Sequence, residues 1–308
     1  MKVGIIGGGG RVGSCAAFAL QCGATADEIV VVDANADAAV GEALDLMHGA
    51  SVAADQRITA GTYDDLKDAD IVVITAGLRR KPDESRLELI NRNVKLFVEI
   101  LDSLKKAGLP DRSIILVVSN PVDILTRLAV EHTGRCPDRT IGLGTLLDTM
   151  RFCSLIAEEV KVAPTQVRAM ILGEHGDTMV PVWSSASIAG LPLTQWPALT
   201  PVKQNQLFER TKTSGADVIR LKGGAGWAVG LAVREVIAAI AFNRRRVLPV
   251  SSRQNGAFGI RGTCLSVPTV IDRRGVVARI DLELWPKERT ALATSARALD
   301  ETYAKVSV

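Results

Sequence analysis

The sequence has few aromatic residues, few histidines and no long hydrophobic run. Aromatic side chains make up 4% of the 308 residues, and only three histidines occur, His48, His132 and His175. No run of about 18 apolar residues that could cross a membrane is present. The N-terminal apolar stretch is too short for a signal-peptide core. We therefore expect a cytoplasmic protein with no membrane partner.

The chain also lacks paired cysteines and a strong charge of one sign. Its five cysteines are odd in number and form no CxxC motif, which predicts reduced thiols and no metal site. The 37 basic and 34 acidic residues leave a net charge of +3. Because the short basic runs carry no interleaved aromatic residues, we expect no nucleic-acid partner.

The first half of the chain alternates short apolar runs with helical patterns. Nearly all residues of these runs are apolar and many are β-branched, as in strands that are buried on both faces. The runs cover residues 3–6, 29–32, 71–75 and 114–118. This βαβ rhythm predicts an α/β fold with a doubly wound parallel sheet of the Rossmann type. We expect it to form a dinucleotide-binding domain over residues 1–142.

The second half has a different pattern. Strand-like segments there surround two long helical patterns, at residues 203–221 and 225–244. We therefore predict a separate α+β substrate domain over residues 143–308.

A glycine-rich turn follows the first predicted strand. Gly8, Gly10 and Gly13 satisfy GxGxxG, in which a tight turn brings backbone amides close to a pyrophosphate. Asp33 ends the second strand 20 residues after Gly13, where a carboxylate binds the ribose of adenosine. The glycines also fit GxxGxxG, a spacing found in some NADP-binding proteins. Asp33 would repel a 2′-phosphate, so we predict NAD.

His175 is the best candidate for proton transfer. It lies between two glycines after an apolar strand, and an imidazole exchanges protons near neutral pH. Asp148 and Arg151 lie three residues apart on a predicted helix, where they either serve a site or form a solvated ion pair. A carboxylate there could orient the imidazole, and a guanidinium could bind a substrate carboxylate. Sequence spacing does not place Asp148 beside His175.

Taken together, these motifs resemble the lactate/malate dehydrogenase family over essentially the whole chain. The segments that carry the resemblance are the glycine turn with Asp33, Thr75-Ala76-Gly77, Arg80-Lys81-Pro82 with Arg86, Ser119-Asn120-Pro121-Val122-Asp123, Gly142-Leu143-Gly144-Thr145 with Leu147-Asp148, and Gly173-Glu174-His175-Gly176-Asp177. The resemblance implies that His175 donates and accepts the proton and that Asp148 is its carboxylate partner. It also implies that Arg151 holds the carboxylate beside the reacting carbon.

The same resemblance assigns further binding residues. A loop over residues 78–89 would close on the site, carry Arg86 onto the substrate carbonyl and expel water. Asn120 would contact substrate and nicotinamide. The cofactor-binding set would be Gly7, Gly8, Gly9, Gly10, Arg11, Val12, Gly13, Asp33, Thr75, Ala76, Gly77, Asn93, Val118 and Asn120. Family members are homodimers or homotetramers, so we expect one of these assemblies.

The substrate prediction depends on one loop residue. Arg80 stands where family members that use malate have arginine, and a second substrate carboxylate would pair with it. Pyruvate would leave this charge buried and unpaired at a cost of roughly 3 to 5 kcal/mol. We therefore predict an NAD-dependent malate dehydrogenase of the tricarboxylic acid cycle. Asp83 and Glu84 depart from the malate pattern, so L-lactate or another 2-hydroxy acid is the alternative. A catalytically silent NAD-binding protein is the alternative of a different class.

Overall fold

A computed structural model describes residues 1–78 and 83–306 of the chain. Arg80 therefore lies outside the described residues. In the first half, strands and helices alternate. They are β1 (Lys2–Ile6), α1 (Arg11–Cys22), β2 (Glu28–Val32), α2 (Ala36–Ala53), β3 (Arg57–Ala60), β4 (Ile71–Ile74), α3 (Arg86–Lys106), β5 (Ile114–Val117), α4 (Val122–Thr133) and β6 (Thr140–Gly142).

These strands form a parallel sheet in the order β3-β2-β1-β4-β5-β6. Strands β4 and β5 are buried at every position, as expected for strands with helices on both faces. The order reverses between β1 and β4, and ligands of such sheets bind beyond the carboxyl ends of the strands at this point. The predicted fold class is thus confirmed for the first half of the chain.

The second half contains a further set of helices and strands. They are α5 (Leu146–Val160), β7 (Val167–Leu172), β8 (Val180–Ile188), β9 (Leu191–Pro192), α6 (Pro201–Lys222), α7 (Trp227–Ala241), β10 (Arg246–Asn255), β11 (Arg261–Asp272), β12 (Gly275–Arg279) and α8 (Pro286–Tyr303). Strands β7 to β9 form a small antiparallel sheet. This mixture confirms the predicted α+β character.

One feature of the second half was not predicted. The antiparallel strands β10, β11 and β12 extend the parallel sheet to nine strands, because Ser251 of β10 pairs with Gly142 of β6. The two predicted domains therefore share one sheet. The boundary near residue 143 lies at the start of α5 and stays a prediction.

Helix α3 shows how local sequence positions a functional residue. Ser85 caps its N-terminus by accepting a hydrogen bond from the Glu88 amide, while the Glu88 carboxylate accepts one from the Ser85 amide. This capping box begins the helix at Arg86, so the arginine lies at the junction between loop and helix. None of the helices described is both long and apolar enough to cross a membrane.

Candidate active site

The glycine turn joins β1 to α1 at the carboxyl edge of the parallel sheet. The Gly7 and Gly8 amides donate to the carbonyl of Val32 at 2.9 and 3.0 Å. Gly7 adopts φ +80°, a left-handed conformation that favours glycine. A Cβ on Gly13 would lie 2.3 Å from the Gly7 carbonyl oxygen and 2.6 Å from the Gly8 Cα. Only glycine therefore allows the helix to pack this closely on the turn, with its first amides free to face an anion.

Asp33 lies directly beside this turn. Its Oδ2 accepts a hydrogen bond from the Gly9 amide at 3.0 Å, and its Oδ1 accepts one from the Asn35 amide at 3.0 Å. The carboxylate borders a cavity of about 370 Å³ that is otherwise mostly apolar. Its lining residues are Val32, Asp33, Ala36, Ala39, Val40, Ala60, Gly61, Thr62 and Tyr63. A carboxylate at the mouth of an apolar cleft next to a glycine turn fits the adenosine half of a dinucleotide.

Sequence reasoning missed part of this cavity. Tyr63 and Thr62 follow β3, and Val40 lies on α2, so none of them belongs to the glycine motif. Burial raises the pKa of the Tyr63 hydroxyl, and the nearby charge of Asp33 raises it further. The only sequence signal for Thr62 and Tyr63 was their position after a strand at the same edge of the sheet, and Val40 had none.

Other predicted cofactor residues gather at the ends of the central strands. The Thr75 hydroxyl donates to the carbonyls of Ile6 and Gly7, which joins the end of β4 to the glycine turn. The amide of Val118, after β5, donates to the Ile74 carbonyl at 2.9 Å. The Ser119 hydroxyl donates to the Ala76 carbonyl at 2.5 Å, and exposed Asn120 follows at the same edge.

Three predicted cofactor residues have side chains that already contact other parts of the protein. The Arg11 guanidinium donates to the carbonyl of Lys222, the last residue of α6, and to that of Gly224 in the loop before α7. The backbone of Arg11 begins α1. The half-buried Val12 packs against the core below the turn. Asn93 is buried beside Gly77, and its amide group bonds to the backbone of the chain at Leu78 and Leu89. Contacts of these residues with a cofactor stay predictions.

The structure brings His175 and Asp148 together. The Nδ1 atom of His175 lies 2.5 Å from Oδ2 of Asp148, and Oδ1 of Asp148 accepts a hydrogen bond from Arg151 at 3.0 Å. Asp148 is 1% exposed, whereas the His175 side chain is 24% exposed. Because Asp148 occupies Nδ1, Nε2 is the ring nitrogen that remains for a substrate.

Electrostatics at this cluster favour a charged imidazole. Burial alone lowers the pKa of His175, but the charge of Asp148 and its hydrogen bond outweigh burial, so the pKa is raised overall. For Asp148, burial raises the pKa, yet the charges and hydrogen bonds of His175 and Arg151 bring it below its usual value. The cluster therefore favours the protonated form of His175 and the ionised form of Asp148.

Arg86 reaches the same loop from α3. Its guanidinium lies 2.5 Å from the Asp177 carboxylate and 3.6 Å from the Glu174 carboxylate, on either side of His175. The arginine side chain remains 65% exposed, so it has room to turn towards a substrate. Within residues 1–78 and 83–306, no cluster of histidine, cysteine and acidic side chains could hold a metal ion.

Comparisons with known proteins agree with this arrangement. A sequence model of the lactate/malate dehydrogenase NAD binding domain matches residues 1–142, and one of the family's alpha/beta C-terminal domain matches residues 145–307. An L-lactate dehydrogenase from Gloeobacter violaceus is 41% identical, over 97% of this chain and 92% of the relative. One from Salinibacter ruber is 40% identical, over 99% of this chain and 98% of the relative.

Solved structures show the same relationship. The crystal structure of minor L-lactate dehydrogenase from Enterococcus mundtii superposes with a TM-score of 0.95 at 34% identity. It covers 100% of this chain and 98% of that one. With the family model and the cleft at Asp33, this similarity identifies NAD as the cofactor.

The prediction of malate as substrate, with the tricarboxylic acid cycle, is wrong. The similar curated proteins reported above are L-lactate dehydrogenases, as is the similar solved structure. The prediction gave the charge of Arg80 more weight than its acidic neighbours, Asp83 and Glu84. Asp83 follows with φ +62°, and buried Glu84 pairs with Arg92 at 2.6 Å. The loop thus carries two carboxylates close in sequence to that arginine, so its charge alone does not identify a dicarboxylate site.

Proposed function

Since this chain belongs to the lactate/malate dehydrogenase family, we propose that it is an NAD-dependent L-lactate dehydrogenase that interconverts L-lactate and pyruvate. The observation that carries the proposal is the His175–Asp148–Arg151 cluster, which combines a proton donor, its carboxylate partner and a cation. A monocarboxylic 2-oxo acid needs one guanidinium for its carboxylate and one proton for its carbonyl oxygen. The described residues supply both.

His175 moves the proton in this proposal. For pyruvate reduction it starts protonated, donates from Nε2 to the carbonyl oxygen and ends neutral. For lactate oxidation it starts neutral and accepts the hydroxyl proton at Nε2. Asp148 holds Nδ1–H throughout, so the ring keeps one orientation and one tautomer. The nicotinamide, when bound, accepts or supplies the hydride.

Two arginines would bind the substrate. Arg151 lies one helical turn from Asp148 and is mostly buried, and a guanidinium binds a carboxylate through two parallel hydrogen bonds. Arg86 would leave Asp177 and approach the carbonyl oxygen, where its charge stabilises the developing alkoxide. Asn120, exposed at the end of β5, would contact the substrate from the sheet side.

The glycine turn and Asp33 would hold the dinucleotide. The cradle fits a pyrophosphate because a Cβ at Gly13 would collide with the backbone of the turn. Thr75, Ala76, Gly77 and Val118 would line the path towards the nicotinamide, since they lie at the ends of neighbouring strands.

The proposal includes a homodimer or homotetramer. Large apolar side chains are exposed on neighbouring helices: Phe18 on α1, Leu231 on α7, and Leu44 and Met47 on α2. Such a surface fits a second copy of the chain. Light scattering should give a mass of two or four chains, and Leu44→Glu should lower it. A wild-type mass of one chain would refute the assembly.

Parallel assays of pyruvate and oxaloacetate reduction test the substrate. We expect kcat/KM for pyruvate to exceed that for oxaloacetate by at least about tenfold, which corresponds to ~1.4 kcal/mol. His175→Asn should lower turnover by roughly 10²- to 10⁴-fold and leave NADH binding intact. The exposed His132 pairs with Asp102 at 2.8 Å, and His132→Asn is the matched control. A preference for oxaloacetate, or an active His175→Asn variant, would refute the proposal.

A further inference from the structure

A second buried carboxylate lies beside His175. Asp123 is in the first turn of α4 and is 3% exposed. Its Oδ2 accepts a hydrogen bond from the backbone amide of His175 at 2.8 Å. Asp148 binds the imidazole of the same residue from α5. One histidine is thus held at two points by carboxylates from two helices.

The two carboxylate oxygens of Asp123 have different surroundings. Its Oδ1 has no hydrogen-bond partner within residues 1–78 and 83–306. The nearby Ser251 hydroxyl on β10 favours the charged form without making a well-formed hydrogen bond. Burial raises the pKa of Asp123 to about 6, so the carboxylate is charged at neutral pH and faces the histidine.

The charged groups around the two residues come from several elements. His175 faces Asp148 and Arg151 from α5 and Asp123 from α4. Asp123 faces His175 and Glu174 from the loop after β7, and Cys264 from β11. Cys264 stays a neutral thiol because burial raises its pKa far above neutral pH. The like charge of Glu174 raises the pKa of Asp123, whereas the imidazolium of His175 lowers it.

We propose that Asp123 is a positioning residue for the proposed dehydrogenase reaction: its carboxylate fixes the backbone of His175, and its charge helps the imidazole retain its proton. Arg151 acts in the opposite direction, because its positive charge disfavours the imidazolium. The negative charges of Asp148 and Asp123 together outweigh the positive charge of Arg151, so the protonated imidazole is favoured. Asp148 alone would have to balance both burial and Arg151.

The substitution Asp123→Asn separates charge from packing. An amide oxygen still accepts from the His175 backbone amide, while the negative charge disappears. Ser251→Ala is an independent variant because it removes the hydroxyl that favours ionised Asp123, and alanine is smaller than serine. Asp272→Asn is the matched control, since Asp272 is equally buried but pairs with Arg274 at the turn between β11 and β12.

Histidine NMR provides a readout that does not require activity. The chain has only three histidines, so the imidazole signals of histidine-labelled protein can be assigned with His48→Gln and His132→Gln. We expect the titration midpoint of His175 to move to lower pH in Asp123→Asn, to move less in Ser251→Ala, and to stay in place in Asp272→Asn. Wild-type midpoints in both Asp123→Asn and Ser251→Ala would overturn the inference; if Asp123→Asn does not fold, Ser251→Ala decides alone.

The pH profile of pyruvate reduction gives a second readout. Because less His175 is protonated at alkaline pH, kcat/KM of Asp123→Asn should fall there about three- to tenfold further than that of the wild type. A profile that is only scaled down at every pH would indicate packing alone and refute the electrostatic role. If the wild type does not reduce pyruvate, the proposed function fails, while the NMR titration still decides the role of Asp123.

Discussion

Replacing Asp148 with asparagine should remove most of the catalytic activity without unfolding the site. The carboxylate accepts from His175 at 2.5 Å and from Arg151 at 3.0 Å, and both neighbours are donors. An asparagine has one oxygen for these two donors, so its NH₂ group must face either a guanidinium or Nδ1. Facing Nδ1, it stabilises the neutral tautomer with the proton on Nε2, which is a weak acid.

The magnitude follows from the burial of the pair. Removing one partner of a buried charge pair costs about 3 to 5 kcal/mol, and Asp148 is 1% exposed. Pyruvate reduction needs protonated His175. If this form loses the stabilisation of about 3 to 5 kcal/mol given above, kcat/KM should fall by roughly 10²- to 10³-fold or more. NADH consumption with pyruvate measures the effect. NADH affinity, followed by fluorescence, should remain within about twofold of the wild type because Asp148 is not among the predicted cofactor residues.

The control for this variant is Asp272→Asn, which neutralises a buried carboxylate paired with Arg274 and remote from His175 in the fold. It should keep wild-type kcat/KM. Retention of more than a tenth of the wild-type kcat/KM by Asp148→Asn would refute the assigned coupling between Asp148 and His175. A similar loss in both variants would mean that any buried charge change disturbs the protein.

Three further predictions concern the cofactor and the proton. Gly13→Ala should weaken NADH binding at least about tenfold, since its Cβ would lie 2.3 Å from the Gly7 carbonyl oxygen, and unchanged affinity would contradict the cradle. Asp33→Asn should weaken NADH binding roughly tenfold or more, because a charged acceptor that also binds the Gly9 amide is lost; equal affinity by titration would remove Asp33 from the ribose site. Wild-type pyruvate reduction should decline as pH rises through the raised pKa of His175, whereas lactate oxidation should increase over the same range. Profiles that change in the same direction with pH would contradict the assignment of His175 as the proton donor and acceptor of both reactions.

The substrate was predicted wrongly because the prediction depended on a single residue, Arg80. Arg80 in isolation favoured a dicarboxylate, yet the similar proteins are L-lactate dehydrogenases. Arg80 can bind a second substrate carboxylate only if no carboxylate of the protein competes for its guanidinium. Asp83 and Glu84 are close to Arg80 in sequence. Such competition depends on the conformation of a loop, which residue identity does not specify.

The sequence by itself determined the parallel sheet, the glycine turn and the position of Asp33. Strands buried on both faces must be continuously apolar, and a turn that passes this close to a helix must contain glycine. A short stretch of sequence is therefore enough to predict either feature. Only the tertiary structure decided what meets His175. Asp148 and Asp123 lie 27 and 52 residues from it along the chain and arrive on different helices. Likewise, β10 joins β6 across more than a hundred residues. Such contacts arise when separate elements pack, and no local spacing encodes them.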